Sequence, residues 1–322
     1  MTLAFITGIS GQDGSYLAER LLAEGVEVHA LAHALEPPPE APGVELHRGD
    51  LTDSDEVRAL LVDLAPDEVY NLAALSSVAR SWEEPDLTAR VNGLAAAALL
   101  DSALLVQEKQ GRPVRFVQAS SAEIFGEPDR SPQDESTPVR PVNPYGAAKA
   151  FVHHMVDVYR HRELHAVSAI LYNHESPRRP DHFVTRKITS TAAAIAQGRA
   201  DVLALGNLDA RRDWGWAPDY VDAMVRAARA DVPRDYVVAT GVGRSVRDFV
   251  AAAFARAGLS DWERYVVVDP EFVRPADPTE LVGDATLART ALGWSPTVGF
   301  DEIVGRMVDA DLRQERSASV RP

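Results

Sequence analysis

The sequence predicts an α/β protein with a doubly wound parallel sheet and a smaller α/β substrate-binding lobe. Three observations indicate this fold. Short apolar runs alternate with amphipathic helical segments over the first half, a glycine-rich turn joins the first run to the first helix, and the second half is less regular. Repeated strand–helix units give a parallel sheet with helices on both of its faces.

The strands of the first half are short, apolar and bounded by turn residues. Residues 3–7 are typical of a buried parallel strand. Residues 15–24 carry leucines on one face and form the first predicted helix, which Gly25 ends. Further strands are predicted at 26–32, 44–47, 67–70, 114–118 and 167–171, and a further helix begins at Asn143-Pro144.

The second half has loops rich in Arg, Pro and Asp between helices predicted near 183–196, 220–230 and 246–257. We expect this part to lie over the carboxyl ends of the strands, where ligands of such sheets bind. The predicted boundaries are 1–172 for the sheet domain and 173–316 for the main part of the lobe, with crossings of the chain between them permitted. Residues 317–322 are predicted to be a tail.

Composition excludes several classes of function. The 322 residues include no cysteine, which excludes disulfides, thiol nucleophiles and zinc–thiolate sites, and we predict no metal in the functional site. The formal net charge of −15 argues against binding to nucleic acid or to an anionic membrane. The first predicted strand follows the initial methionine directly, and we expect no apolar run in the sequence to reach transmembrane length. We therefore expect a cytoplasmic protein with small-molecule ligands.

The turn after the first strand has the composition of a dinucleotide-binding turn. Its glycines let the backbone approach a pyrophosphate, whose charge the helix N-terminus stabilises. The alternative is a tight turn without a ligand. Asp50 can meet adenine, although 52–54 fits better as the cap of the next helix. The predicted contacts are Gly8, Gly11, Gln12, Asp13 and Gly14 in the turn, Asp50 and Leu51 after the third strand, and Leu72 and Ala73 after the fourth.

A candidate catalytic set follows the fifth strand. Tyr145 and Lys149 lie four residues apart on one helix face, and a nearby cation favours a phenolate, so we expect Lys149 to lower the pKa of Tyr145. Lys149 can also hold the ribose of a cofactor. Ser121 can hydrogen-bond the same substrate oxygen, and Glu123 can remove a proton beside a carbonyl and then protonate a leaving hydroxyl. The alternatives are an ordinary surface pair and a solvated loop carboxylate.

These features resemble the extended short-chain dehydrogenase/reductase superfamily, and longer stretches resemble the GDP-mannose 4,6-dehydratase family over nearly the whole chain. The stretches are GISGQDGSYLAE at 8–19, NHESPRR at 173–179, FVTRKIT at 183–189, LGNLD at 205–209, RDWG at 212–215, ATGV at 239–242, Phe272 with RPA at 274–276, and GD at 283–284. The resemblance implies a Rossmann-like domain at 1–172. It also implies NADP or NAD as a tightly held, recycled cofactor, with NADP favoured by the family.

The resemblance implies that GDP-mannose, or a related GDP-sugar, loses water to give a GDP-4-keto-6-deoxy sugar. Tyr145 would take the O4 proton while hydride leaves C4 for the nicotinamide. Glu123 would take the C5 proton and assist loss of the C6 hydroxyl, and hydride would return to C6. A homo-oligomer, either a dimer or a tetramer, is also implied. The implied substrate contacts are Ser76, Ser121, Glu123, Asn173, Lys187, Arg212 and Arg274, and the further implied cofactor contacts are Ser76, His174 and Arg179.

Some positions depart from the family pattern. The family has Thr where Ser121 stands and Ser where Ala122 stands. It has Gln, His and Tyr where Leu75, Ser77 and Leu87 stand. We expect these positions to lie near the sugar or the nicotinamide.

A basic pair is also missing. The Arg-Arg pair with which the family binds the NADP 2′-phosphate and joins subunits is replaced by Ala32-His33-Ala34. This change weakens the expected NADP preference and the expected tetramer.

Rival functions use the same scaffold. One is a GDP-sugar 4-epimerase or 4-ketoreductase, and another is a dehydratase for a larger GDP-sugar such as a heptose. Glu123 favours dehydration, because epimerisation needs no C5 base. A non-catalytic nucleotide-sugar sensor is disfavoured, because a sensor would not need Ser121, Glu123, Tyr145 and Lys149 together.

Overall fold

The computed structural model describes residues 2–34, 41–272, 276 and 278–319, with side chains described as far as 313. The strands are β1 Leu3–Thr7, β2 Glu27–Ala32, β3 Glu45–Arg48, β4 Glu68–Asn71, β5 Arg115–Ser121, β6 His165–Leu171, β7 Asn173–Glu175, β8 Leu203–Leu205, β9 Arg211–Trp216, β10 Asp235–Val238, β11 Gly243–Ser245, β12 Val266–Val268 and β13 Glu280–Leu281.

The helices lie between the strands. They are α1 Gln12–Ala23, α2 Ser54–Leu64, α3 Val78–Glu83, α4 Pro85–Ala89, α5 Ala96–Gln110, α6 Pro144–Arg160, α7 Val184–Ala196, α8 Ala217–Ala228, α9 Val246–Arg256, α10 Thr286–Leu292 and α11 Phe300–Ser319. A π-helical turn, Arg90–Ala95, joins α4 to α5. Short 3₁₀ turns cover Ala122–Ile124, Trp262–Tyr265 and Pro270–Phe272.

The central sheet confirms the predicted fold class. Seven parallel strands lie in the order β10-β6-β5-β4-β1-β2-β3. Helices α1 and α8 pack on one face, and α2, α5 and α6 pack on the other. The strand order reverses its direction between β4 and β1. Such a reversal places a crevice at the carboxyl ends of these two strands.

The chain returns to this sheet after entering the lobe. Helix α8 packs beneath β5 and β6, and β10 forms the sheet edge beside β6 in parallel. The lobe has a separate core in which α7, α9 and α11 pack together over the four-stranded sheet of β7, β9, β11 and β13. The domain boundary at 172/173 remains a prediction.

Most predicted elements agree with the structure to within a few residues. Among the early elements, α1 begins three residues before its predicted start, at Gln12 rather than at residue 15. Its first turn contains Gly14, and because glycine is a poor helix former the sequence does not indicate a helix there. Strand β5 continues to Ser121 through small buried residues. Helix α11 continues to Ser319, which corrects the predicted tail at 317–322, of which 320–322 lie outside the described residues.

One sequence expectation about membranes is wrong by length and composition. The helical run Pro85–Gln110 spans 26 residues and contains an 18-residue window with a mean hydropathy of 1.4, enough to cross a bilayer by those measures alone. In the fold, 56% of its apolar window is buried. Helix α5 contacts α2 and α6, so its leucines and alanines contribute to the core on that face of the sheet.

Candidate active site

A single cavity brings the predicted site residues together. It opens at the carboxyl ends of β1, β4 and β5 and continues under the lobe, with a volume of about 1630 Å³. Pockets for one small ligand usually have volumes of about 300–1,000 Å³, so this cavity has room for two ligands side by side. The predicted residues that line it are Gly8, Gly11, Gln12, Asp13, Gly14, Asp50, Leu51, Leu72, Ala73, Ser76, Ser121, Glu123, Tyr145, Lys149, Asn173, His174, Arg179, Lys187 and Arg212.

The glycine turn forms one end of the cavity. Gly8 has a φ of +76°, and a Cβ there would lie 2.7 Å from the backbone nitrogen of Ala73. A Cβ at Gly14 would overlap the carbonyl oxygen of Gly8. Gly11 precedes α1 as its N-cap residue and supplies no side-chain cap. The backbone of this turn therefore packs closely. The N-terminus of α1, which is the positive end of the helix dipole, faces the cavity.

A polar network joins the first turn of α1 to β7. Gln12 Nε2 donates to the His174 carbonyl at 3.1 Å, and the Ser176 hydroxyl donates to Gln12 Oε1 at 2.8 Å. His174 Nε2 lies 2.8 Å from Asp13 Oδ2. Burial acts to raise the pKa of Asp13, but the charge of His174, its hydrogen bond and the charge of Arg179 hold that pKa below its usual value. The ionised form of Asp13 is thus stabilised by its contact with His174 where the helix N-terminus meets the cavity.

The rim near β3 and β4 is shaped by loop hydrogen bonds. Asp50 accepts from the backbone nitrogen and the hydroxyl of Thr52, each at 2.8 Å, and these bonds lower its pKa. Asp53, rather than Asp50, caps α2, as predicted. Asn92, in the π-helical turn, accepts from the Leu75 nitrogen at 2.8 Å and donates to the Leu75 carbonyl at 3.0 Å. It thereby fixes the loop that carries Ser76.

Tyr145 and Lys149 lie on the first turns of α6 and are both buried. Burial raises the pKa of Tyr145 to about 12, although a hydrogen bond with Ser121 opposes the rise. The expected depression by Lys149 is therefore wrong for this arrangement. The Lys149 ammonium donates to the Ala119 carbonyl at 2.8 Å and lies 5.9 Å from the centre of the Tyr145 ring, and burial lowers its own pKa to about 8.

Glu123 is held in place by a residue that sequence reasoning missed. Asn143 Nδ2 donates to Glu123 Oε2 at 2.8 Å, while its Oδ1 accepts from the Gly146 nitrogen at 2.7 Å as the cap of α6. A Cβ at Gly146 would lie 2.5 Å from the Glu123 carbonyl oxygen, so the glycine permits this close approach. The backbone nitrogen of Glu123 also donates to the Ser121 hydroxyl at 3.2 Å. The carboxylate thus has a fixed position beside Ser121 and Tyr145.

The far end of the cavity is cationic. Lys187 Nζ lies 3.6 Å from the centre of the Phe272 ring, and burial lowers the pKa of this lysine. Arg212 is buried, and its Nη1 donates to the carbonyls of Arg211 and Pro278 at 2.8 and 2.9 Å. The predicted contact Arg274 lies outside the described residues.

Arg179 places a further positive charge in the cavity wall. Its guanidinium stacks on the Phe183 ring at 3.7 Å, and its Nε lies 3.4 Å from the buried Glu175. Burial raises the pKa of Glu175 despite this neighbour. The arginine and the His174–Asp13 pair therefore lie on the same side of the cavity as the glycine turn.

Comparison with known proteins identifies the family. The family model for GDP-mannose 4,6 dehydratase matches residues 5–307. The chain is 44% identical to GDP-mannose 4,6 dehydratase 2 of Arabidopsis thaliana, over 99% of this chain and 89% of that protein. It is 42% identical to the human GDP-mannose 4,6 dehydratase, over 98% of this chain and 92% of that protein. The chain belongs to the GDP-mannose 4,6-dehydratase family.

A solved structure with lower sequence identity to this chain supports the same fold. The UDP-glucose 4-epimerase of Thermus thermophilus, in complex with NAD, is 30% identical with a TM-score of 0.83. The match covers 96% of this chain and 99% of that one. Members of the dehydratase family and this epimerase thus share the sheet and the lobe.

The positions that depart from the family pattern are mostly in the cavity. Leu75, Ser77 and Ala122 line it, as does Ser121. Leu87 does not appear in the cavity wall. It lies half-buried on α4, which corrects the expectation that this position is near the sugar or the nicotinamide. His33, which stands where the family has its arginine pair, lies in the wall with Asp50.

Proposed function

We propose that this chain catalyses the 4,6-dehydration of GDP-mannose to a GDP-4-keto-6-deoxy sugar and water. One observation carries the proposal: the Glu123 carboxylate, fixed by Asn143, lies in the same cavity wall as Ser121, Tyr145 and Lys149. Oxidation and reduction at C4 need only the last three. An additional positioned carboxylate fits removal of a proton from C5.

The cavity wall fits a dinucleotide cofactor, NADP or NAD. The close backbone packing at Gly8 and Gly14 leaves the N-terminus of α1 accessible to a pyrophosphate. Asp50 and Leu51 would meet the adenosine half, and Lys149 would hold the nicotinamide ribose. A bound nicotinamide would supply the exchange of hydride with C4 and C6 of the sugar.

The residues of the chain would move the protons. Tyr145 would accept the O4 proton with Ser121 donating to or accepting from the same oxygen. Because burial raises the pKa of Tyr145 to about 12, the phenolate needs a further positive charge nearby, which an oxidised nicotinamide ring carries. Glu123 would take the C5 proton once C4 is a ketone, since the carbonyl acidifies that position. The same carboxyl group would then protonate the leaving C6 hydroxyl.

The cationic end of the cavity fits the GDP group. Lys187 and Arg212 line this end, Asn173 lines the same cavity, and Arg274 lies two residues after Phe272 in the sequence. Arginine suits a diphosphate because its planar fork donates two parallel hydrogen bonds. The sugar would lie between these residues and the Ser121–Glu123 loop.

We also propose a cytoplasmic homo-oligomer, a dimer or a tetramer. Exposed apolar side chains lie at Leu94 in the π-helical turn and at Phe151 and Val158 on α6. A Cβ at Gly93 would lie 3.5 Å from the Phe151 ring, so the two segments adjoin. Such side chains on neighbouring helices suit a contact with a second copy. Sedimentation measurements on the wild type and on Phe151→Glu would test it, and a monomeric wild type would reject it.

Product analysis with a panel of GDP-sugars tests the reaction. GDP-mannose should give a 4-keto-6-deoxy product with no net change in the redox state of the nicotinamide. Glu123→Gln keeps the size of the side chain and removes the base, so elimination should fall by roughly 10²–10⁴-fold while oxidation at C4 persists. Stoichiometric accumulation of reduced cofactor by the wild type would instead identify a dehydrogenase. Unchanged elimination in Glu123→Gln would remove the basis of the proposal.

A further inference from the structure

Four titratable side chains face one another on strands β2 and β3, outside the catalytic cavity. The strands pair in parallel, with His29 opposite Glu45 and Leu31 opposite His47. Because alternate residues of a strand point to the same face, Glu27 and His29 lie on the same side of the sheet as Glu45 and His47. The β2–β3 cluster, defined as these four side chains, therefore contributes two imidazoles and two carboxylates to one surface.

The separations between its atoms match those of a metal site. His29 Nδ1 lies 2.9 Å from His47 Nε2, and His29 Nε2 lies 3.1 Å from Glu27 Oε1 and 3.8 Å from Glu45 Oε2. One ligand atom from each of His29, Glu45 and His47 can be chosen so that all lie within 4.8 Å of one another. Zinc bonds of about 2.0–2.2 Å place neighbouring tetrahedral ligands roughly 3.3–3.5 Å apart. An ion can take only one of the two His29 nitrogens, so Glu45 has to move toward the His29–His47 pair to bind the same ion.

The cluster is partly preorganised. The His29 side chain is 6% exposed, and contacts at both ring nitrogens fix its orientation, whereas the Glu45 side chain is 68% exposed and can move to close the remaining gap. Each imidazole can offer a ring-nitrogen electron pair to a metal ion in its neutral form.

We propose that the β2–β3 cluster binds a divalent transition-metal ion of the zinc class, with His29, His47 and Glu45 as ligands. Imidazole nitrogen favours zinc, cobalt or nickel, whereas magnesium and calcium prefer sites made of oxygen alone. This proposal is independent of the dehydratase reaction, because none of the four residues lines the cavity.

The ion would join the edge of the sheet to its interior. Strand β3 is the last strand of the sheet in the described chain, and β2 is its neighbour there. Strand β3 ends shortly before Asp50 and Leu51, which are part of the cavity wall. A metal held between β2 and β3 therefore stabilises the segment that we expect to meet the adenosine half of the cofactor.

The experiment uses the full-length, tag-free chain after treatment with a chelator. Zinc is titrated calorimetrically, and cobalt is added as a spectroscopic probe of tetrahedral coordination. Wild type should bind one zinc ion per chain at the cluster. His47→Gln and Glu45→Gln should each weaken binding by roughly tenfold or more. His161→Gln is the matched control, because His161 is an exposed histidine 3.9 Å from a single carboxylate of Asp157, and this change should leave zinc affinity unaltered.

Thermal melting separates lost ligands from lost folding. Because Glu45 is mostly exposed, Glu45→Gln should melt like wild type in the presence of chelator. Added zinc should raise the melting temperature of the wild type and of His161→Gln, but not of the two cluster variants. Equal zinc affinity in wild type and both cluster variants would overturn the proposal. So would magnesium binding as tightly as zinc, since that behaviour belongs to carboxylates alone.

Discussion

Replacing Asn143 should separate its two structural roles. Its Oδ1 caps α6 through the Gly146 nitrogen at 2.7 Å, and its Nδ2 holds Glu123 Oε2 at 2.8 Å. Alanine removes both hydrogen bonds. Serine keeps the helix cap but is too short to donate a hydrogen bond to Glu123. Aspartate also keeps the helix cap, but it places a second carboxylate against the Glu123 carboxylate. The three variants therefore test the orientation of Glu123 apart from the stability of the helix.

The magnitudes follow from the two hydrogen bonds. An N-cap side chain contributes about 1 kcal/mol to the free energy of unfolding, so Asn143→Ala should lose this amount and Asn143→Ser very little of it. A hydrogen bond to a charged group is worth about 1.5–3 kcal/mol. Losing it leaves Glu123 free to rotate away from C5, and elimination should fall by roughly 10- to 100-fold in both variants. Asn143→Asp should fall at least as far.

The assay is single-turnover formation of the 4-keto-6-deoxy product from GDP-mannose, with thermal melting of each variant. The matched control is Ser245→Ala, because Ser245 caps α9 by accepting from the Asp248 nitrogen at 3.0 Å and does not itself line the cavity. It should lower stability as Asn143→Ala does and leave elimination unchanged. An Asn143→Ser variant that eliminates water at the wild-type rate would refute the assigned role of Asn143.

Three further predictions concern the cofactor side of the cavity. Gly14→Ala should weaken dinucleotide binding by at least about tenfold in a fluorescence titration, because its Cβ overlaps the Gly8 carbonyl, whereas Gly299→Ala, in open space, should not. NAD and NADP should bind within roughly tenfold of each other, because the wall offers His33 where the family has an arginine pair, and His33→Arg should favour NADP; a hundredfold NADP preference in the wild type would contradict this. Burial lowers the pKa of Lys149 from 10.5 to about 8, so the folded chain binds fewer protons than the unfolded chain between these values. Its unfolding free energy should therefore rise with pH in this window by about 3 kcal/mol relative to Lys149→Met, and parallel pH profiles from denaturant melts would count against it.

The parallel sheet could be predicted because β1, β5 and β6 are largely apolar runs, and because strand-like segments alternate with helical ones over the first half of the chain. The predicted site residues also lie together, since the ends of parallel strands meet at one edge of the sheet. The shift in the pKa of Tyr145 could not be predicted. Spacing places Lys149 one helical turn away, but the extent of burial and the bond from Lys149 to the Ala119 carbonyl depend on tertiary packing.

Contacts between distant segments were also beyond sequence reasoning. The Asn-Pro pair at 143–144 indicates a helix cap, but nothing in the sequence indicates that Asn143 reaches Glu123, twenty residues earlier. The β2–β3 cluster could not be predicted for the same reason. His29 and His47 are far apart in the chain, and only the strand register brings their rings together.

The return of the chain to the central sheet limits how the protein can be divided. A chain cut after residue 172 would lose β10 and α8, leaving the edge of β6 unpaired and the apolar undersurface of β5 and β6 open to water. The two halves are thus unsuited to exchange as modules with those of related enzymes at a single splice point. Transferring the sugar specificity of a related enzyme to this chain would therefore require replacing the lobe segments that lie between α8, β10 and α10. Those three elements would have to remain with the central sheet of their own protein.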